Sequence, residues 1–262
     1  MTINFCKYEG TGNDFVLIDD RLNALQLSTS QIEKICNRRF GIGADGLILL
    51  RNKEGFDFEM VYYNSDGKLS SMCGNGGRCI VSFANKLGIL ENKAVFWAAD
   101  GKHEAVLLST NPDVIKLKMN DVSSIEKTSA GWFLDTGSPH LVVEVNELDS
   151  FNVQEEGRAI RNSKDFIQPG VNVNFLENSE KGISVRTYER GVEDETLSCG
   201  TGVTATALVA IQNRHWNQAE MPVKVFTPGG VLFVHALESK NGFTDIWLEG
   251  PGTFVYQGIM EV

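Results

Sequence analysis

The 262-residue chain is 42% hydrophobic and 22% charged, the balance of a water-soluble globular protein with room for one large domain or two smaller ones. A formal net charge of -10 excludes nucleic acid and anionic membrane surfaces as main partners, because both select basic patches. No apolar run approaches the roughly 20 residues that cross a bilayer, and MTINFCKYEG lacks the basic start and apolar core of a signal peptide, so the expected location is the cytoplasm.

In chain order, the first motif is Gly12-Asn13-Asp14-Phe15, a turn that feeds the buried strand FVLID. Ser28 to Ser30 can cap a helix over 30–39, with Ile32, Ile35 and Cys36 as its apolar face. GIGADGLILL from Gly41 and FEMVYY from Phe58 read as further strands, and Asn64 follows the second. Cys73-Gly74-Asn75-Gly76 then opens an apolar run through Ala84, the pattern of a tight turn leading into a buried helix. AVLLS and VIKLKM close this half as strands.

The second half repeats the first. WFLDTG leads to Gly137-Ser138-Pro139-His140 and the strand LVVE, matching Gly12 to Phe15. After a short helix over 155–160, QPGVNVNFLE from Gln168 resembles GIGADGLILL, with Gly43 falling on Gly170 and Asp45 on Asn172. Tyr188-Glu189 in ISVRTYE matches Tyr63-Asn64, and Cys199-Gly200-Thr201-Gly202 matches the first cysteine turn. All four matches keep one order at offsets of 125 to 127 residues, which reads as two copies of one module. The stretch from Val203 to Ile211 is small or apolar on every side, so it is expected at a module's centre with strands wrapped around it. The predicted fold is α+β: two pseudo-symmetric domains from an internal duplication, each a barrel-like sheet around a central helix, with a boundary near residue 120 (1–120 and 121–251).

Five cysteines stand at 6, 36, 73, 79 and 199. Their odd number and wide spacing do not form a disulfide framework, and with no CxxC and no histidine nearby in sequence they do not form a zinc site. Cys6, Cys36 and Cys79 read as small core residues. Cys73 and Cys199 read differently, because each leads a turn at a helix N-terminus. There the helix dipole favours the thiolate, and glycines let a ligand reach the first-turn N–H groups. A duplicated module can keep its helix-opening glycines for packing alone, but packing does not require cysteine rather than serine or aspartate at both leading positions. Two such thiols facing one substrate would remove an α-proton from one face and return a proton to the other, with the carboxylate held by helix N–H groups. No electron-sink cofactor motif accompanies them, and no metal is expected.

GTGNDFVLID, GIGADGL, YYNSDG, MCGNGGRC, GSPH, GVNV, YERG and CGTG together resemble the diaminopimelate epimerases along the whole chain. These pyridoxal-independent enzymes interconvert LL- and meso-2,6-diaminopimelate. The resemblance implies the two-domain fold, a final strand over 252–262 that returns to the first domain, no cofactor, a small-molecule substrate and a homodimer. It implies Cys73 and Cys199 as the acid and base, and Gly74, Asn75, Gly200 and Thr201 as donors to the reacting-end carboxylate. It implies Asn13, Asn64, Asn172, Glu189 and Arg190 as the recognition set; a guanidinium such as Arg190 suits a distal carboxylate. His140 either tunes a cysteine or is a satisfied structural histidine. Two positions depart from the pattern: Ser138 stands where many members have asparagine, and Gly46 where some have glutamine.

Proline or hydroxyproline racemases share the fold and the thiol pair, but carry an Asp-Arg pair just before the second turn, where this chain has Glu195 and Thr196. Isomerases of the phenazine-biosynthesis type lack the cysteines. A non-catalytic amino-acid-binding module would use the same glycine turns without needing either thiol, and a thiol-disulfide redox protein would need closely spaced cysteines.

Overall fold

The computed structural model describes residues 2–70, 72–168, 170–180, 182–217 and 220–261. Pro169, inside the QPGVNVNFLE segment, lies outside the described residues. The chain divides into two compact units, Met1–Leu117 with Gly250–Val262, and Lys118–Glu249. Among the described residues, no helix is long and apolar enough to cross a membrane.

The first unit contains β1 (Thr2–Gly10), β2 (Asn13–Asp19), α1 (Thr29–Cys36), β3 (Gly46–Arg51), β4 (Phe58–Asn64), α2 (Gly74–Lys86), β5 (Lys93–Ala98), β6 (Gly101–Ser109) and β7 (Val114–Lys118). The second contains β8 (Glu126–Lys127), β9 (Trp132–Asp135), β10 (Pro139–Glu144), α3 (Val153–Arg161), β11 (Asn172–Ser179), β12 (Gly182–Glu189), β13 (Asp194–Thr196), α4 (Gly200–Gln212), β14 (Val223–Thr227), β15 (Gly230–Ser239) and β16 (Gly242–Pro251), the last two residues of which, Gly250 and Pro251, belong to the first unit. The last strand, β17 (Thr253–Glu261), pairs with β1 in the first unit.

The two sheets share one wiring. In the first, the strand order is β17, β1, β2, β3, β4, β5, β6, β7. In the second it is β8, β9, β10, β11, β12, β14, β15, β16. Along either order, the pairs run antiparallel, antiparallel, parallel, antiparallel, parallel, antiparallel, antiparallel. Among the described strands only β13, which pairs with β12, has no counterpart. The parallel steps enclose a helix, as a parallel crossover requires. The duplication read in the motifs is therefore a duplication of topology.

Burial explains the apolar runs. Along β2 and β3, Val16, Ile18, Leu47 and Leu49 pack with Ile32, Ile35 and Cys36 of α1. The alternate residues Phe15, Leu17, Ile48 and Leu50 are equally buried, and α2 packs on these same strands. Strands covered on both faces read as continuous rather than alternating hydrophobicity. In the second unit α3 packs on β11 and β12, while α4 contacts β9, β10, β11, β12, β14 and β15. The run from Gly202 to Ile211 of α4 is buried throughout, which is why it carries no polar face.

The helix expected over 30–39 stops at Cys36. Ser28 and Gln31 form a reciprocal capping box at its start. At its end Asn37 is extended and its Oδ1 accepts the Arg39 and Phe40 N–H groups at 2.9 Å. The chain then folds back so closely that a Cβ on Gly41 would lie 1.9 Å from the Lys34 carbonyl oxygen. A side chain competing for backbone N–H groups outweighs the residues' helix propensity.

Candidate active site

Both cysteine turns adopt the same local structure. Cys73 is the N-cap of α2 (φ -108°, ψ 128°) and Cys199 the N-cap of α4 (φ -117°, ψ 111°). Each carbonyl accepts the first helical bond, from Gly77 at 2.7 Å and Val203 at 2.8 Å. Neither thiol caps its own helix, unlike the Ser, Thr or Asp usual there. Gly74, Asn75, Gly200 and Thr201 supply first-turn N–H groups that have no acceptor within the helix.

In the first unit, the structure brings together Asn13, Cys73 and Asn75. The β1–β2 hairpin turns through Thr11 (φ 53°) and Gly12 (φ 87°), a left-handed pair that opens β2 on Asn13. Asn13 Oδ1 accepts from the Cys73 thiol at 3.6 Å and from Asn75 Nδ2 at 3.5 Å, while Asn13 Nδ2 donates to Asp45 Oδ2 at 2.6 Å. Arg38 Nη2 donates to Asp45 Oδ1 at 2.7 Å and also grips Asp14, which buried Lys7 contacts at 2.6 Å. Burial pushes the Asp14 carboxyl up, but Arg38 and Lys7 outweigh it and hold it at about 2. Asn64 is exposed at the end of β4, opposite Gly46. A Cβ on Gly46 would lie 2.5 Å from Tyr62 Cε2, so the Tyr62 ring takes the space of a longer residue there.

In the second unit Asn172 Oδ1 accepts the Arg190 backbone N–H at 2.8 Å, and Glu189 Oε2 accepts from the Thr196 hydroxyl at 2.9 Å. Cys199 Sγ lies 3.5 Å from Thr201 Oγ1, and the Thr201 carbonyl accepts from Thr136 Oγ1 at 2.9 Å. The Ser138 carbonyl accepts the Thr136 N–H at 3.2 Å. His140 is wholly buried. Asn174 Nδ2 donates to the carbonyls of Leu141 (3.2 Å) and Asn172 (3.4 Å), which fixes the amide's orientation, so His140 Nδ1 at 3.0 Å is an acceptor. The ring proton is then on Nε2, a buried atom with no hydrogen-bond partner among the described residues. Burial, with the Arg190 charge, pushes the imidazole down to about 3. His140 is a neutral donor, and not a fully satisfied structural residue.

The strand registers correct one motif alignment. Phe15 pairs with Gly46 and His140 with Asn172, so Gly46, not Asp45, is the counterpart of Asn172. Asp45 instead precedes β3 and holds Asn13. In the same registers Ile48 and Tyr62 correspond to Asn174 and Thr187. One module fills the space below its cysteine helix with Phe15, Ile48 and Tyr62; the other uses His140, Asn174 and Thr187. Sequence reasoning missed Asp45, Asn174 and Arg78. The one signal for Arg78 was a charge inside an otherwise apolar run.

Of the other cysteines, Cys36 and Cys79 lie in the core, whereas Cys6 on β1 is only half-buried. Burial raises Cys36 to about 11 and raises Cys6 and Cys79 as well, the last wholly enclosed in α2.

The diaminopimelate epimerase family model matches residues 5–124 and 132–246. The chain belongs to the diaminopimelate epimerase family. A diaminopimelate epimerase from Flavobacterium psychrophilum is 50% identical over 253 residues, covering 96% of this chain and 97% of the relative. One from Aquifex aeolicus is 38% identical over 275 residues, covering 98% and 97%. The fold is wider than the diaminopimelate epimerase family. A phenazine biosynthesis protein from Bacillus anthracis superposes over all of both chains with a TM-score of 0.77 at 14% identity. A hydroxyproline epimerase from Agrobacterium vitis gives 0.67 at 13% identity, covering 99% of this chain and 91% of that one.

Proposed function

We propose that this chain is an isomerase that interconverts LL- and meso-2,6-diaminopimelate by proton transfer between two cysteines, in lysine and peptidoglycan precursor synthesis. The observation that carries the reading is the pair of N-cap cysteines, Cys73 and Cys199, at matching positions of two modules with the same wiring. Each presents a sulfur beside first-turn N–H groups at the positive end of a buried helix.

In this reading one sulfur, as thiolate, takes the α-proton, and the other, as thiol, returns a proton to the opposite face. The carbon centre inverts and the two sulfurs exchange protonation states. The first-turn N–H groups hold the α-carboxylate and stabilise the charge that develops as the C–H bond breaks. Asn13 and Asn64 act with Asn172, Glu189 and Arg190 in recognition, Arg190 taking the distal carboxylate. Glu189 accepts an ammonium hydrogen bond, and Ser138, shorter than the asparagine of many members, meets the distal end by a shorter side chain or through a bridging water. We also expect a cytoplasmic location and a homodimer, the dimer being tested by light scattering on purified protein.

Incubation of reduced protein with LL-diaminopimelate in deuterated water, without pyridoxal phosphate, tests the function. The meso isomer forms carrying α-deuterium, and Cys73→Ser and Cys199→Ser each abolish it. Turnover of L-proline in place of diaminopimelate would move the assignment to the proline racemases. No exchange with either substrate would leave an amino-acid-binding module.

A further inference from the structure

Arg78 is the fifth residue after Cys73, inside the buried helix α2, and its side chain is wholly enclosed. Nε donates to the Pro251 carbonyl at 3.1 Å and Nη1 to the Gly74 carbonyl at 3.3 Å. Nη2 donates to Thr11 Oγ1 and to Asn75 Oδ1, both at 3.1 Å. All of these acceptors are uncharged, so the guanidinium, which stays protonated, is a buried cation without a salt bridge among the described residues. Burying such a charge is unfavourable unless an anion compensates it. The fifth residue after Cys199 is Thr204, whose hydroxyl bonds back to the Gly200 carbonyl at 3.0 Å. The duplicated fold therefore does not need a cation there.

The hydrogen bonds leaving Arg78 also have a fixed direction. A guanidinium only donates, so Asn75 presents Oδ1 to it and Nδ2 to Asn13. At the far end the Asp45 carboxylate only accepts, so Asn13 presents Nδ2 to it and Oδ1 to Asn75 and Cys73. Two neutral amides are held in one orientation between a cation and an anion, with the Cys73 sulfur at the middle of the chain.

We propose, on the two-thiol reading above, that Arg78 is a positioning residue for Cys73: it is the fixed counter-charge for anions at the first turn of α2 and it orients Asn75 toward Asn13. Its charge works against the Asn13 oxygen, which as an acceptor favours the protonated thiol. Cys79 on α2 also interacts with Cys73, Glu9 on β1 faces Arg78, and beyond Asn13 stand Asp45 before β3 and Asp14 on β2, which hold the cations Arg38 and Lys7. Arg38 and Lys7 are engaged by those carboxylates, whereas Arg78 is the cation whose hydrogen bonds lead through Asn75 and Asn13 to Cys73.

The test is the pH dependence of iodoacetamide alkylation of Cys73, read by peptide mass spectrometry in a Cys199→Ser background. Cys199 is read likewise in a Cys73→Ser background. Arg78→Gln raises the Cys73 midpoint by roughly one pH unit and leaves that of Cys199 in place, while Arg78→Lys restores most of the shift. A folded Arg78→Gln with an unmoved Cys73 midpoint overturns the proposal, and so does an equal shift at both cysteines. Should Arg78→Gln not fold, Arg78→Lys decides: with two intact cysteines it lowers kcat at least about tenfold because Asn75 loses its oriented donor, and an unchanged kcat overturns the proposal. Alkylation needs no turnover, so a failed epimerase assay on the unaltered chain remains a separate result.

Discussion

At the scale of single residues, the two modules solve the same packing problem in different chemistry, and His140 is the clearest case. Its counterpart Phe15 is apolar, so the fold does not require a polar ring at that position. Burial holds the imidazole near 3, well below its unfolded value of about 6.5. Between those values the unfolded chain binds a proton that the native chain does not, so stability falls as pH drops through this window. The contribution is fully present above the unfolded value. His140→Phe removes it: urea unfolding from about pH 4 to 6 shows a shallower loss of stability, by up to roughly 1.4 kcal/mol per pH unit. At neutral pH the variant stays folded, because Asn174 keeps both carbonyl partners, yet turnover falls at least about tenfold for want of the Nε2 donor. An unchanged acid limb would mean that the ring is protonated in the native state. The cysteines could be picked out in sequence because motif and repeat coincide there. Asp45, Asn174 and Arg78 could not, because their roles come from partners remote in sequence and from the direction of hydrogen bonds.

At the scale of elements, the first turns of α2 and α4 differ in how tightly they are packed. Gly76 and Gly202 are equivalent, each third after its cysteine. A Cβ on Gly202 would lie 2.3 Å from Asn174 Oδ1, an amide oxygen also bonded by the Thr187 hydroxyl at 3.0 Å. A Cβ on Gly76 would meet Ile48 Cδ1 at 3.0 Å and Met60 Cε at 3.1 Å, the ends of flexible side chains. Gly202→Ala therefore displaces either α4 or the Asn174 amide and destabilises by about 1–3 kcal/mol, with loss of activity. Gly76→Ala shifts two side-chain tips and regains helix propensity, so its net change stays within about 1 kcal/mol. Chemical-denaturation midpoints of the two variants check this, and equal losses would show that both first turns are packed alike. The helices were legible because buried periodicity and caps are local signals. What the residues hid was where α1 ends, since Asn37 stops it by a local turn that competes with the helix, and the close approach of Gly41 to Lys34 forms only once the chain turns back. The strands β14 to β16 carry no motif, so nothing in the sequence singles them out.

At the scale of the whole molecule, the duplication is legible because motifs kept their order and spacing, whereas the strand that completes the first sheet is not local information. Nothing in TFVYQGIME names β1 as its partner, since pairing at that separation follows from the order of the whole sheet. Thr2 pairs with Glu261 and Tyr8 with Phe254, so the first and last described strands run side by side in opposite directions. Phe5 meets Tyr256 at 6.0 Å and Tyr8 meets Phe254 at 5.6 Å between ring centres, and α2 packs against β17. Deleting 253–262 should uncover the β1 edge and these rings, giving an aggregation-prone chain with the first unit unfolded. The same pairing makes the opposite prediction for a rearranged chain. Joining 262 to 1 by a short Gly/Ser linker turns β17 and β1 into an ordinary hairpin. New ends can open at the exposed turn between Glu54 and Gly55, where a Cβ on Gly55 would meet nothing within 4 Å. This permutant should fold, with a far-UV spectrum and melting curve close to those of the original order, because loop-closure entropy is lowered across β1–β17 and only one turn is cut. If the permutant fails while the deletion folds, the β1–β17 pairing is not what holds the first unit together. The opposite pair of results would show that this long-range strand pairing completes the sheet around α2.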